Sequence, residues 1–192
     1  MQHVILDIGH ANGTGARGNG YEEHALCAIV GRKLKKRLLK HGVKVTLLDF
    51  PALTNKEDLN RTIKAANAAK RVTFGISLHM DAADSQKAHG GHVCFVSQKG
   101  RELAERITAH LVEVMPGRSV LVQKRTNLAV LNQTRSPWAL IELGFITSPD
   151  DIKRLVDDPD TEKNELKPLM DALEKGILDC LERAKEWTTK TE

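Results

Sequence analysis

The sequence predicts an α/β fold in a single domain, and three features support that prediction. Apolar runs typical of strands alternate along the chain with amphipathic segments typical of helices. The run at residues 138–141 is apolar at consecutive positions, as in a strand that is covered on both faces. A chain of 192 residues, of which 41% are hydrophobic, is long enough for one core and short for two.

The chain opens with a predicted strand at residues 3–8, and Gly9-His10 ends it, which places an imidazole at its carboxyl end. A glycine-rich loop follows, up to about residue 21. A helix is predicted at about residues 22–40, because its apolar residues recur at helical spacing, and Gly42 ends it. Its apolar stripe consists of Leu26, Cys27, Val30, Leu34 and Leu38.

The same alternation continues with a second strand at residues 43–48 and a helix at about residues 55–70, whose first residue can serve as the cap. A third strand at residues 72–78 places His79 at its carboxyl end, as the first strand does for His10. Two histidines at equivalent strand ends indicate a site more strongly than either one alone, which is more often a hydrogen-bonded structural residue.

Three more strands are predicted after residue 79. The first spans residues 92–96, and the helix after it ends before Pro116. Residues 128–131 are short and strand-like, and a further strand ends at Glu142.

Helices are predicted to close the chain at about residues 149–156 and about residues 165–187. No linker or repeat divides the sequence, so residues 1–187 are predicted to form one domain and residues 188–192 a tail.

Glu142 is the residue that burial and alternation do not explain. It follows an apolar run, where an unpaired carboxylate would be unfavourable. Pro137 and Gly144 are typical of a strand's first residue and of its exit turn, so Glu142 is predicted at the strand's carboxyl end. Open α/β sheets bind ligands at that edge. The alternative is a carboxylate paired with a structural arginine.

Two carboxylates open the first helix, and helical spacing separates them. Glu23 lines up with the apolar stripe and is expected to point inward, beside the end of the first strand. Glu22 shares a face with lysines and is interpreted as solvated charge that favours the helix dipole. The alternative for Glu23 is that it only supports the start of the helix.

His10, Glu23 and His79 can therefore converge as two imidazoles and one carboxylate. Such a set holds zinc and leaves a fourth position for water, which is typical of catalytic rather than structural zinc sites. Glu142 is then the candidate general base.

Two other histidines, His89 and His92, are rival metal ligands. The Gly90-Gly91 pair between them indicates a mobile surface turn, which argues against a preformed ligand set there.

A resemblance to a known family rests on four segments. These are Leu6-Asp7-Ile8-Gly9-His10, Glu23-His24, Ser77-Leu78-His79-Met80-Asp81-Ala82, and Pro137 through Phe145. Over nearly its whole length the chain resembles the zinc-dependent N-acetylmuramoyl-L-alanine amidases of the group called amidase type 3. The resemblance implies a twisted mixed β-sheet flanked by helices on both faces, zinc as cofactor on His10, Glu23 and His79, and Glu142 as the catalytic residue.

The resemblance also implies a substrate, peptidoglycan, and a reaction, hydrolysis of the amide between the lactyl group of N-acetylmuramic acid and the first L-alanine of the stem. Arg61 and Asn67 fall where the family usually has an arginine and an asparagine. Asp81 stands where the family often has asparagine, and Trp138 where a small residue is common. These two departures concern substrate contacts rather than the metal site.

A glycine motif, Gly13-Thr-Gly15-Ala-Arg-Gly18, matches the dinucleotide fingerprint GxGxxG in spacing. The fingerprint requires its first glycine at the strand end and an acid about 20 residues further on. Here the glycines start late, and Asp49 lies too far downstream, so dinucleotide binding is not favoured.

The net charge of +4 favours an anionic surface without specifying it. Aromatic residues make up only 4% of the chain, too few for a base-stacking platform, so nucleic acid is not expected as a partner. No apolar run approaches the ~20 residues of a membrane span.

The start of the sequence lacks the pattern of an export signal, which favours synthesis in the cytoplasm and action on the cell wall after release. That pattern fits a phage-type endolysin, or a lytic enzyme of a spore-forming cell. Two alternatives remain: another zinc peptidase acting on wall peptides, and a non-catalytic wall-binding or nucleotide-binding module.

Overall fold

A computed structural model describes residues 1–50, 54–157 and 165–189. The strands are β1 (His3–Ile8), β2 (Arg17–Gly18), β3 (Tyr21–Glu22), β4 (Lys44–Leu48), β5 (Phe74–Asp81), β6 (His92–Phe95), β7 (Val122–Lys124) and β8 (Trp138–Phe145). The helices are α1 (Glu23–Lys40), α2 (Asn55–Ala68), α3 (Gln98–Val114), α4 (Ala129–Asn132), α5 (Pro149–Leu155) and α6 (Lys167–Thr189).

Six strands form one mixed sheet in the order β4-β1-β5-β8-β6-β7. Neighbouring strands run parallel except for the antiparallel pair β6 and β8, while β2 and β3 form a separate two-stranded ribbon. The predicted fold class, a mixed sheet flanked by helices, is confirmed.

The pleat of the strands divides the core into two layers. In β1, Val4, Leu6 and Ile8 join the larger apolar cluster, which packs against α1, α3 and α6. Ile5 points the other way, into a smaller cluster that includes residues of α2 and α4. All six residues of β1 are buried, as expected for a strand covered on both faces.

Two strands extend further than the sequence predicted. β8 continues through Gly144 instead of turning there, because Phe145 still pairs with Asp81 of β5. The N–H of Phe145 donates to the buried carboxylate of Asp151 at 2.8 Å. β5 likewise runs on to Asp81. The prediction that Glu142 ends its strand is therefore wrong, although it still lies in the carboxyl half of β8.

The prediction of a strand at residues 128–131 is also wrong, since residues 129–132 form the short helix α4. Helical geometry lets Val130 and Leu131 both pack into the smaller apolar cluster, and the backbone N–H of Asn132 donates to the carbonyl of Leu128 at 3.1 Å. An apolar run of four residues does not distinguish strand from helix by periodicity.

The segment between His89 and His92 is not an exposed turn, contrary to the prediction. Gly90 and Gly91 are buried, and the Gly90 N–H donates to Asp151 at 2.8 Å. His89 is exposed, whereas His92 is buried in β6. None of the described helices is both long and apolar enough to cross a membrane. Residues 190–192 of the predicted tail lie outside the described residues.

Candidate metal centre

His10, Glu23 and His79 come together at the carboxyl edge of β1 and β5. Glu23 Oε1 lies 3.2 Å from His10 Nε2 and 3.1 Å from His79 Nδ1. One ligand atom from each residue lies within 4.8 Å of the other two, and no other group of three such residues meets this condition in the described part of the chain.

The donor set fits zinc. Ligand atoms about 2.0–2.1 Å from a tetrahedral zinc ion lie about 3.3 Å from one another, which matches the separations of Glu23 Oε1 from the two imidazoles. Two nitrogens and one carboxylate oxygen leave a fourth position for water or substrate. These three residues are therefore the candidate ligands of a catalytic metal ion.

Glu23 is held in place by more than the two histidines. Its side chain is buried, and its oxygens accept the N–H groups of Ala16 at 2.8 Å and Met80 at 3.0 Å. Burial opposes its ionisation, but the hydrogen bonds with His10, His79 and Ala16 outweigh burial and hold the pKa of Glu23 well below its usual range. Glu23 thus presents a charged carboxylate at neutral pH.

The glycine-rich loop between β1 and β2 covers this cluster. A Cβ at Gly15, which has a φ of +89°, would lie 2.9 Å from Glu23 Oε2 and 3.0 Å from His10 Cγ. A Cβ at Gly9 would lie 2.4 Å from the ring of His79. The glycines of the loop and of the first strand's end therefore serve close packing around the imidazoles.

His10 itself has a strained backbone, with a φ of 65°, in the left-handed region that non-glycine residues rarely adopt. Its carbonyl oxygen lies 3.4 Å from Nδ1 of the buried His24, whose Nε2 is 3.2 Å from Asp49. His24 thus ties the backbone at His10 to the end of β4, which helps to keep the strained conformation.

Glu142 lies beside the cluster, because it is directly opposite His79 in the parallel pairing of β5 and β8. Its Oε2 is buried and has no hydrogen-bond partner among the described residues. No arginine in the described part of the chain pairs with it, so the alternative of a structural ion pair lacks support. A buried carboxylate without a partner is typical of a functional group.

Burial raises the pKa of Glu142 to about 7, and the charges of Asp81 and Glu23 add to the rise, while His79 and His10 oppose it. A cation bound beside the carboxylate would lower this value. A carboxyl group that titrates near neutral pH is suited to accept a proton and to return it.

Replacement of Glu142 by glutamine should stabilise the metal-free protein at alkaline pH. The folded state raises this pKa from 4.5 to about 7, so the folded protein disfavours the ionised form and loses stability as the pH rises through that interval. At pH 8, Glu142→Gln is expected to raise the free energy of unfolding by on the order of 2–3 kcal/mol, with little change at pH 4. Urea unfolding in the presence of a chelator measures both values.

The matched control is Glu113→Gln, which removes an exposed carboxylate from α3 and should change stability little at either pH. An equal effect of Glu142→Gln at pH 4 and pH 8 would contradict the raised pKa.

A cavity of about 140 Å³ adjoins His10 and His79 on the side of α2. Two carboxylates line it, Asp7 and Asp58. Burial raises the pKa of Asp7, although Ser77 and Thr62 donate hydrogen bonds to it, and burial together with the charges of Asp7 and Asp49 raises the pKa of Asp58 to about 6. This side of the site is therefore acidic.

Sequence reasoning did not identify Asp7, Asp58 or His24 as parts of the site. Asp7 offered a signal, because it interrupts the apolar strand at residues 3–8. Asp58 and His24 lie on helices, and only the tertiary packing shows that they are buried. Arg61 is exposed on α2 and pairs with Glu57, and it does not line the cavity beside His10 and His79.

Comparison with known proteins identifies related sequences. A sequence model described as N-acetylmuramoyl-L-alanine amidase matches residues 4–175. The "Probable cell wall amidase LytH" of Staphylococcus saprophyticus is 30% identical over 155 residues, which cover 77% of this chain and 49% of the relative. The LytH of Staphylococcus epidermidis is 29% identical over 154 residues, with the same coverage of both chains. The chain thus spans about half the length of the curated relatives that it matches.

Solved structures share the fold. The CwlD amidase from Clostridioides difficile, determined in complex with the GerS lipoprotein, superimposes with a TM-score of 0.84 at 22% identity, covering 95% of this chain and 99% of that one. The catalytic domain of the CD27L endolysin, which targets Clostridia Difficile, gives a TM-score of 0.80 at 24% identity, covering 93% and 98%.

Proposed function

The chain belongs to the N-acetylmuramoyl-L-alanine amidase family, and from that premise we propose that it is a zinc-dependent hydrolase of peptidoglycan. The bond cleaved is the amide between N-acetylmuramic acid and the L-alanine that begins the peptide stem. The observation that carries this proposal is the meeting of His10, Glu23 and His79 with Glu142 beside them.

In this proposal, His10, Glu23 and His79 hold the zinc ion. Zinc, when bound, would act as a Lewis acid that lowers the pKa of water towards ~7 and polarises a carbonyl group. The carboxylate of Glu23 remains ionised and thereby offsets part of the positive charge of the ion. Burial and its hydrogen bonds keep Glu23 fixed between the two imidazoles, which favours one orientation of the substrate.

Glu142 acts as the general base and then as the general acid. Its unpartnered Oε2 takes the proton of the water that attacks the amide carbon. The same carboxyl group then gives that proton to the nitrogen of the departing L-alanine, so the C–N bond breaks and a neutral amine leaves. A pKa near neutrality suits both steps.

Digestion of purified peptidoglycan tests this reaction directly. The expected products are peptides with a free amino group on L-alanine and glycan strands that retain the lactyl carboxylate, and mass spectrometry identifies both. New carboxyl ends within the peptides, with L-alanine still attached to the glycan, would instead indicate a zinc peptidase. Loss of turbidity alone does not separate these reactions.

We also propose that the enzyme is made in the cytoplasm and cleaves the cell wall after its release, as an endolysin does. Residues 1–187 are the catalytic domain in this proposal. Exposure of intact cells from outside, compared with expression alongside a membrane-permeabilising protein, tests the route.

A further inference from the structure

A cluster of polar side chains lies next to Glu142 on the side of β6. It consists of Asp81, His92 and Arg118. His79 on β5 lies opposite Glu142 on β8, and Glu142 lies opposite His92 on β6. Residues directly opposite in neighbouring strands project to the same face of the sheet, so His92 lies on the same face as His79 and Glu142. Asp81 and Arg118 complete the group, since Asp81 Oδ2 is 3.3 Å from His92 Nδ1 and 3.2 Å from Arg118 Nη2.

This group has unused hydrogen-bonding capacity. Among the described residues, five buried side-chain polar atoms lack a hydrogen-bond partner. Four of them lie together here: Asp81 Oδ2, His92 Nδ1, Arg118 Nε and Glu142 Oε2. Asp81 Oδ2 is within ion-pair distance of His92 and Arg118 but accepts no well-aligned hydrogen bond from either. Buried polar groups are nearly always paired, so such a concentration indicates a ligand-binding surface.

Arg118 is the cation of the group. Its side chain is only 27% exposed, and its Cζ lies 5.0 Å from the centre of the Phe145 ring. Within the described residues its guanidinium has an ion pair with Asp81 but donates no well-aligned hydrogen bond. A guanidinium presents five N–H donors in a planar fork that matches a carboxylate, so most of these donors remain for a ligand.

The charges of the site differ from one side to the other. Asp7 and Asp58 line the cavity on the side of β1 and α2. On the side of β6 and β7, burial and the positive charges of Arg118 and Arg125 lower the pKa of His92 to about 4. Asp58, with a pKa of about 6, is mostly ionised at neutral pH and disfavours an anionic group on the first side. On the second side the two cations Arg118 and Arg125 outnumber Asp81 and attract an anionic group.

We propose that Arg118, backed by Asp81 and His92, binds a carboxylate of the peptide stem beyond its first alanine. The stem then runs from Glu142 towards β6 and β7, and the glycan lies on the side of α2. This assignment rests on the proposed amidase function and makes Arg118 a specificity-determining residue. A free carboxylate at that position is preferred over a carboxamide, because the carboxamide carries no charge and offers one acceptor oxygen fewer.

Two muramoyl dipeptides test this inference: N-acetylmuramoyl-L-alanyl-D-glutamate and N-acetylmuramoyl-L-alanyl-D-isoglutamine. They differ only at the α-carboxyl group of the second residue, which is a carboxylate in the first compound and a carboxamide in the second. With the zinc-loaded wild type, KM for the carboxylate form should be lower by about 10-fold or more. Arg118→Gln should raise KM for the carboxylate form to near the value for the carboxamide. Arg118→Lys should keep part of the preference, since it retains the charge but loses the fork.

Arg101→Gln is the matched control, because Arg101 lies on the exposed face of α3 and pairs only with Glu105 among the described residues. It removes the same charge and should leave the preference intact. Titration of the released dipeptides, L-alanyl-D-glutamate and L-alanyl-D-isoglutamine, followed by NMR, repeats the comparison without turnover.

The outcomes separate the two proposals. Cleavage of both muramoyl dipeptides with equal KM by the wild type would overturn the role of Arg118 while supporting the amidase function. No cleavage of either, with cleavage elsewhere in peptidoglycan, would overturn the amidase function. If Arg118→Gln fails to fold, the two KM values of the wild type, together with Arg118→Lys, decide whether the carboxylate is preferred.

Discussion

Glutamine in place of Glu142 is expected to lower kcat on peptidoglycan by about 10²–10⁴-fold, the range typical of losing a general acid–base residue. Glutamine keeps the size of the side chain but can neither accept nor return the proton. Glu142 contributes no atom to the candidate ligand group, so the variant should still bind one zinc ion. Steady-state cleavage of peptidoglycan and metal analysis of the same preparation measure the two quantities.

Glu113→Gln again provides the control, since it removes an exposed carboxylate of α3 and should retain wild-type activity. The wild-type rate should fall at acidic pH as Glu142 becomes protonated, because the base must be ionised to accept a proton. Full activity of Glu142→Gln, with zinc bound, would exclude Glu142 as the catalytic base.

Removal of any one metal ligand is expected to abolish activity together with zinc binding. His10→Ala, Glu23→Ala and His79→Ala each leave only two of the three donors, and zinc affinity should fall by more than about 100-fold, the upper end of the losses seen for residues that merely support ligands. Zinc titration with a competing chelator measures the affinity. The melting temperature of the wild type should rise on adding zinc, and that rise should disappear in the variants.

His89→Ala is the control for histidine loss. His89 is exposed, and its Nδ1 lies 2.8 Å from the carbonyl of Lys87, so its removal should leave zinc binding and activity unchanged. Chelation of the wild type should abolish activity, and added zinc should restore it. A variant at His10 or His79 that retains tight zinc binding would show that the ion is held elsewhere.

The convergence of the three candidate ligands could be predicted because a local sequence pattern indicated the position of each one. Parallel neighbouring strands present their carboxyl ends at one edge, so His10 and His79 were expected there. Helical spacing distinguished Glu23 from Glu22, and the structure shows Glu23 buried at the cluster and Glu22 hydrogen-bonded to Arg17 near the surface.

The other features of this sheet edge could not be predicted, because they depend on contacts between residues that are distant in the sequence. Asp151 accepts the N–H groups of Phe145 and Gly90, and no local pattern reveals that this carboxylate reaches the end of β8. The pairing of Asp81 with Arg118 likewise joins segments that a helix and a strand separate. Periodicity describes which face a residue occupies, but not which side chain it meets across the fold.

The metal site itself is tested most directly by diffraction from crystals of the zinc-loaded protein at the zinc absorption edge. One strong anomalous peak is expected about 2.0–2.2 Å from His10 Nε2, Glu23 Oε1 and His79 Nδ1, with Glu142 beside it. A fully active preparation whose crystals show no anomalous density at these three residues would exclude them as the ligands of a catalytic zinc ion.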